Sequence, residues 1–156
     1  MKIGGVTVQP PKNETVIIKR EEGDIVITCK AVLDYEKFEK LCPQPQPREI
    51  LRPNNVKSYA VNDPKYKEAL DSWAIKQSSW LILESLSATE GLEWDTVNME
   101  DPETFANYEE DLAKTFSLGE RVKIIQAVNS ACGLSVEKME EAREVFLPET
   151  AQVAPQ

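Results

Sequence analysis

The stretch FSLGERVKIIQAVNSACGLSVEKMEEAREVFL, which runs from Phe116 to Leu147, decides how the helical part of the chain folds. Ser117, followed three residues later by Glu120, has the form of a capping box that marks the start of a helix. Gly133 stands where a helix usually adopts a left-handed residue and ends. The stretch therefore predicts two short helices joined by a tight turn at Gly133.

The first of these helices carries apolar residues at helical spacing. Asn129 lies on the same stripe, where a buried amide must find hydrogen-bond partners or cost roughly 1–3 kcal/mol. Two interpretations stay open for it: a structural brace of the Gly133 turn, or a direct contact with a ligand. The stripe is centred on Val122, Ile125 and Cys132, and Ile124, Val128 and Ala131 widen it.

The second helix is expected to start at Ser135 as its cap and to end before Pro148. Residues 149–156 have no apolar period and are expected to form a disordered tail. The apolar stripe of this helix is Val136, Met139, Ala142 and Phe146.

Residues 1–42 predict a β-rich element with one short helix. Gly4-Gly5 reads as a turn before a short strand at Val6–Val8, and β-branched runs at Thr15–Lys19 and Asp24–Lys30 predict a hairpin. Alternation places Ile25, Ile27 and Cys29 on one face, and both faces are expected to be at least partly covered. The short helix is predicted at Asp34–Leu41.

Residues 43–62 predict a connector. The prolines at 43, 45 and 47 exclude a helix, and the residues after Ile50 show no regular pattern. This is the most basic part of the chain, since it carries Arg48, Arg52 and Lys57.

Residues 63–148 predict a helical domain. Asp63-Pro64 opens the longest helix, which extends to about Ala88 and is apolar nearly all round in its second half. Asp101-Pro102 opens another helix, with an apolar stripe ending at Phe116. The acidic residues of that helix form either a solvated face or a charged rim for lysine-rich segments; they are Glu103, Glu109, Glu110 and Asp111. The predicted fold class is α+β, with a small N-terminal β element and a body of about four helices.

Composition disfavours most catalytic chemistry. The 156-residue chain has no histidine, and its three cysteines lack the spacing of a zinc site. With 18 basic and 27 acidic residues it has a formal charge of −9, which disfavours nonspecific nucleic-acid binding. Apolar runs are too short for a membrane span. The sequence therefore predicts a non-enzymatic cytoplasmic protein without cofactor or metal, whose scattered cysteines do not suggest a disulfide framework.

Three motifs resemble the tail assembly chaperones of long-tailed bacteriophages. The pattern N-x-x-x-G-L-S-x-x-x-x-E-E-A-R-x-x-F-L begins at Asn129, D-P-x-Y stands at Asp63–Tyr66, and E-x-L-x-W stands at Glu90–Trp94. Together with the proline-rich break, the resemblance covers roughly residues 43–147. It implies a protein that binds and solubilises the tape-measure protein in the host cytoplasm, with other tail proteins or a second copy as further partners. In many relatives a frameshift appends a second domain.

The predicted helices carry more apolar residues than one buried face needs, and some of these would line a groove for the partner. The candidates are Trp80, Leu83, Leu86, Val122, Ile125, Met139 and Phe146. The structural positions of the last two helices are Ser117, Glu120, Asn129 and Gly133. Two other functions remain open. The chain could be a head or tail accessory protein of the virion, or a small antitoxin-like module that masks a basic partner.

Overall fold

A computed structural model describes residues 1–134, and it shows an α+β protein. The predicted helix after Ser135 and the predicted disordered tail lie outside the described residues. The chain divides into two compact units that interleave along the sequence. Among the described residues, unit 1 contains Met1–Val32, Glu84–Leu92 and residues 116–134, and unit 2 contains Leu33–Leu83 and Glu93–Thr115. This division differs from the successive segments that the sequence suggested.

Unit 1 begins with two antiparallel hairpins. Strands β1 (Lys2–Ile3) and β2 (Val6–Thr7) are joined by Gly4 and Gly5, which both have positive φ angles, as a tight hairpin turn requires. Strands β3 (Glu14–Ile18) and β4 (Ile25–Cys29) pair antiparallel, with Ile18 opposite Ile25, which confirms the hairpin that the sequence predicted.

Within residues 1–134, the β3–β4 hairpin is covered on one face only. Helix α4 (Leu118–Ala131) packs across both strands, where Ile18, Ile27 and Cys29 are buried. Ile17 and Val26, which are cross-strand partners on the other face, are 60% and 50% exposed. The expectation that both faces are covered is therefore wrong for this pair, because an apolar strand residue does not reveal whether a second layer lies over it.

The segment after residue 84 closes the edge of β4 in unit 1. The backbone N–H of Lys30 donates to the carbonyl of Ser85 at 3.0 Å, and the Ser85 hydroxyl donates to the Lys30 carbonyl at 2.8 Å. The Thr89 hydroxyl accepts from the backbone N–H of Thr28 and donates to its carbonyl, both at 3.0 Å. These bonds satisfy strand groups that would otherwise lack partners.

Unit 2 is mainly helical. It contains α1 (Glu36–Leu41), the part of α2 (Pro64–Leu86) that ends at Leu83, and α3 (Tyr108–Thr115), which follows a 3-10 turn at Pro102–Asn107. The predicted caps are present, since Asp63 accepts from the backbone N–H of Lys65 and Asp101 from that of Glu103. Helices α1 and α2 lie where the sequence predicted them, whereas the helix predicted to open at Asp101-Pro102 starts as the 3-10 turn and becomes α-helical at Tyr108.

An aromatic cluster forms the core of unit 2. Phe38 is fully buried, and its ring centroid lies 5.3 Å from Tyr35, 5.6 Å from Trp80 and 5.9 Å from Trp73. The indole N–H of Trp73 donates to the carbonyl of Cys42 at 2.9 Å, which fixes the end of α1 against α2. Aromatic pairs at this spacing add to the stability gained from burial alone.

The predicted connector contains a hairpin that the sequence did not reveal. Strands β5 (Glu49–Leu51) and β6 (Lys57–Tyr59) pair around a turn in which Asn54 and Asn55 have φ angles of 72° and 57°. Asparagine tolerates this left-handed conformation better than most residues, so the Asn-Asn pair is the signal that could have predicted the turn.

Candidate partner-binding surface

Helix α4 presents apolar side chains on two sides. The buried side packs on the β3–β4 hairpin, and its members are Ile124, Ala127, Val128 and Ala131. About 140° around the helix, at 100° per residue, a second row faces away from the strands. We call this row the outer stripe of α4, and it consists of Leu118, Val122, Ile125 and Asn129.

The outer stripe is accessible. Leu118 is 69% exposed and Val122 is 47% exposed, Ile125 is half-buried, and Asn129 is exposed. Its members are spaced by four, three and four residues, which is the spacing of a seam that receives another helix. The sequence had centred the buried stripe on Val122, Ile125 and Cys132 and had placed Asn129 on it. That assignment is corrected, because the residues expected to widen the stripe are the ones that face the strands.

An ion pair fixes the start of α4. Ser117 caps the helix, and Glu120 completes the predicted capping box by accepting from the backbone N–H of Ser117 at 2.9 Å. Glu120 also accepts two hydrogen bonds from Arg20, at 2.5 and 2.8 Å. The bonds from Arg20 and then from Ser117 lower the pKa of Glu120 to about 2. The first turn, which carries Leu118, is therefore tied to the loop after β3.

A Schellman motif fixes the end of α4. Gly133 has a φ of +74°, its backbone N–H donates to the carbonyl of Ser130, and that of Leu134 donates to the carbonyl of Asn129 at 2.7 Å. The predicted turn at Gly133 is thus confirmed. Asn129 braces it through its backbone, while its side chain stands on the surface and not inside the core. An exposed amide on an apolar seam can set the register of a partner helix.

The structure separates the seven residues predicted to line a groove. Val122 and Ile125 lie on the outer stripe. Trp80 and Leu83 in unit 2 and Leu86 in unit 1 are at most 2% exposed, so they are core residues, and a partner could reach them only if the core opened. Met139 and Phe146 lie outside the described residues. On a helix that is apolar nearly all round, the sequence does not show which side chains a fold will cover.

Asp111 has a structural role that sequence reasoning missed. It is 6% exposed and accepts from the backbone N–H groups of Asp95 and Thr96 and from the Thr96 hydroxyl, at 2.9, 3.0 and 2.7 Å. Burial opposes its ionisation, but these hydrogen bonds outweigh burial and hold the pKa of Asp111 below its ordinary value. It is therefore neither part of a solvated face nor a charged rim, unlike the exposed Glu103, Glu109 and Glu110.

The part of the chain from residue 1 to residue 134 holds no group of three or more histidine, cysteine, aspartate or glutamate side chains placed to bind a metal ion. None of its helices combines the length and the apolar character needed to cross a membrane.

Comparison of the chain with protein-family models, with curated proteins and with solved structures found no match. Within the described part of the chain, the outer stripe of α4 is the surface whose geometry most directly suggests a partner, namely an amphipathic helix.

Proposed function

We propose that this protein is a non-enzymatic assembly chaperone of a bacteriophage tail, which binds a helical segment of the tape-measure protein in the host cytoplasm. The observation that carries the proposal is the outer stripe of α4, an apolar seam held on a rigid helix and open along Leu118 and Val122. The resemblance of three sequence motifs to tail assembly chaperones supports it and supplies the partner.

The physical role is protection of apolar surface. A long amphipathic helix that awaits assembly exposes an apolar face, which promotes aggregation. Packing that face against the outer stripe removes it from water. Each Å² of apolar surface that is buried contributes roughly 25 cal/mol of favourable free energy. The chaperone itself stays dispersed because its formal charge is −9.

The fixed ends of α4 make such docking less costly. The Arg20–Glu120 ion pair holds the first turn, and the Schellman motif at Gly133 holds the last. A seam that is already ordered loses little conformational entropy when a partner binds. The proposal thus needs no rearrangement of unit 1.

The test is co-expression with helical segments of a bacteriophage tape-measure protein. We expect the wild-type protein to raise the soluble fraction of at least one segment. The double variant L118E/V122E should fold normally by circular dichroism and lose this effect, because two carboxylates would be buried in the new interface. The control variant L51E, which changes an exposed leucine of β5 in unit 2, should keep it.

Three outcomes would count against the proposal or against a part of it. If no segment gains solubility with the wild-type protein, the chaperone function is overturned. If L118E/V122E works as well as the wild type, the function stands but the outer stripe is not its surface. Stoichiometric recovery of the protein in purified particles would instead favour a virion component.

A further inference from the structure

Two of the three cysteines lie close together in unit 1, although they are far apart in sequence. Cys29 is the last residue of β4, and Cys132 directly follows α4. The sulfur of Cys132 lies 4.0 Å from the carbonyl oxygen of Lys30, the residue after Cys29. The C-terminal ends of β4 and α4 therefore place the Cys132 sulfur beside the backbone of the residue that follows Cys29.

The two thiols differ in accessibility. The Cys29 side chain is fully buried on the face of the hairpin that α4 covers, whereas Cys132 is partly exposed. Burial, and to a smaller extent the proximity of Cys132, raises the pKa of Cys29 to about 11. An oxidant from solution can thus reach Cys132, while Cys29 is protected from it.

We propose that Cys29 and Cys132 form an oxidation-sensitive pair that closes to an intramolecular disulfide when the protein meets a small disulfide such as oxidised glutathione. This inference is independent of the proposed function. The spacing of the cysteines does not suggest a disulfide framework, but spacing along the chain does not show which residues a fold brings together.

The reaction is two successive thiol–disulfide exchanges. The Cys132 thiolate attacks one sulfur of oxidised glutathione, the S–S bond breaks, and one glutathione leaves as a thiolate. Cys29 then loses its proton and attacks the Cys132 sulfur of the mixed disulfide, which releases the second glutathione. Two protein thiols are oxidised, and one glutathione disulfide is reduced to two thiols.

The product would join the end of β4 to the end of α4. A disulfide forms without distortion only where the two β carbons approach to about 4.5 Å or less. Rapid closure in the folded protein would therefore show that Cys29 and Cys132 meet this distance. Because Cys29 must ionise in the second step, closure should accelerate as the pH rises. The disulfide encloses a long loop, so the thermal midpoint should rise by several degrees.

The test uses the full chain with Cys42→Ser as background, which removes the one cysteine of unit 2. The folded protein is incubated with oxidised glutathione and analysed by intact mass and peptide mapping. We expect the loss of two hydrogen masses, a peptide cross-link between Cys29 and Cys132, and a raised thermal midpoint.

Two matched variants resolve the steps. With Cys29→Ala, the reaction should stop at Cys132 with the added mass of one glutathionyl group. With Cys132→Ser, the folded protein should acquire neither an adduct nor a disulfide. A persistent glutathionyl adduct on the Cys42→Ser protein, a disulfide between two chains, or closure only in denaturant would overturn the proposal. Should Cys29→Ala fail to fold, the peptide map of the Cys42→Ser protein still decides.

Discussion

Arg20 and Glu120, 100 residues apart in sequence, form a two-bond ion pair that joins the loop after β3 to the first turn of α4. The same carboxylate completes the capping box with Ser117. The Glu120 side chain thus both caps the start of α4 and attaches that helix to the β3–β4 hairpin. The pair adds to the packing of α4 on the β3–β4 hairpin, which holds these parts of the chain in one unit.

The first prediction follows from the pKa of Glu120, which is about 2 in the folded protein against an ordinary value of 4.5. A carboxylate with a lowered folded pKa adds stability that is fully present above its unfolded pKa. That stability is lost as the pH falls from about 4.5 to about 2. We expect Glu120→Gln, which keeps the capping oxygen, to reduce the dependence of the unfolding free energy on pH in this window.

Urea titrations at several pH values would measure this effect. Glu90→Gln, at an exposed glutamate of the same unit, is the control and should leave the pH dependence unchanged. If the unfolding free energy falls as steeply below pH 4.5 in Glu120→Gln as in the wild type, the ion pair does not contribute to the pH dependence of stability.

The second prediction concerns Asp111. Asp111→Ala should destabilise unit 2 by about 2 kcal/mol, because the backbone N–H groups of Asp95 and Thr96 lose their acceptor in a buried position. Glu110→Ala, at the neighbouring exposed position that pairs with Lys114, should cost at most about 0.5 kcal/mol. Chemical denaturation of both variants gives the comparison, and equal losses would contradict the assigned role.

The third prediction separates the two sides of α4. Ile124→Ala should cost about 2–5 kcal/mol, because it opens a cavity against the β3–β4 hairpin. Val122→Ala on the outer stripe should change the unfolding free energy by no more than about 0.5 kcal/mol. Thermal melts of the two variants test this, and similar losses at both positions would mean that the outer stripe is covered in solution.

The fourth prediction compares two glycines near the ends of α4. Gly133→Ala should destabilise by about 1 kcal/mol, because its φ of +74° is strained for any residue with a β carbon. Gly119→Ala should be neutral or stabilising by up to about 1 kcal/mol, since Gly119 lies within the helix and a β carbon there would meet no atom within 4 Å. A loss at Gly119 that matches the loss at Gly133 would argue against the Schellman turn.

The sequence by itself determined the local structure. Asp63-Pro64 and Asp101-Pro102 mark helix starts, Ser117 and Glu120 form a capping box, and Gly133 ends α4. The β3–β4 hairpin could likewise be predicted from its two β-branched runs and the short polar loop between them. These signals depend only on groups a few residues apart, so they can be recognised in the sequence without knowledge of the tertiary structure.

Only the tertiary structure decided which apolar faces are covered and which distant residues meet. It turned α4 so that Ile124 and not Val122 faces the strands, buried Trp80, and brought Cys132 to the end of β4. Helical periodicity gives the angles between side chains but not the direction from which a neighbour approaches. That direction depends on contacts between residues far apart in sequence, and no local pattern records them.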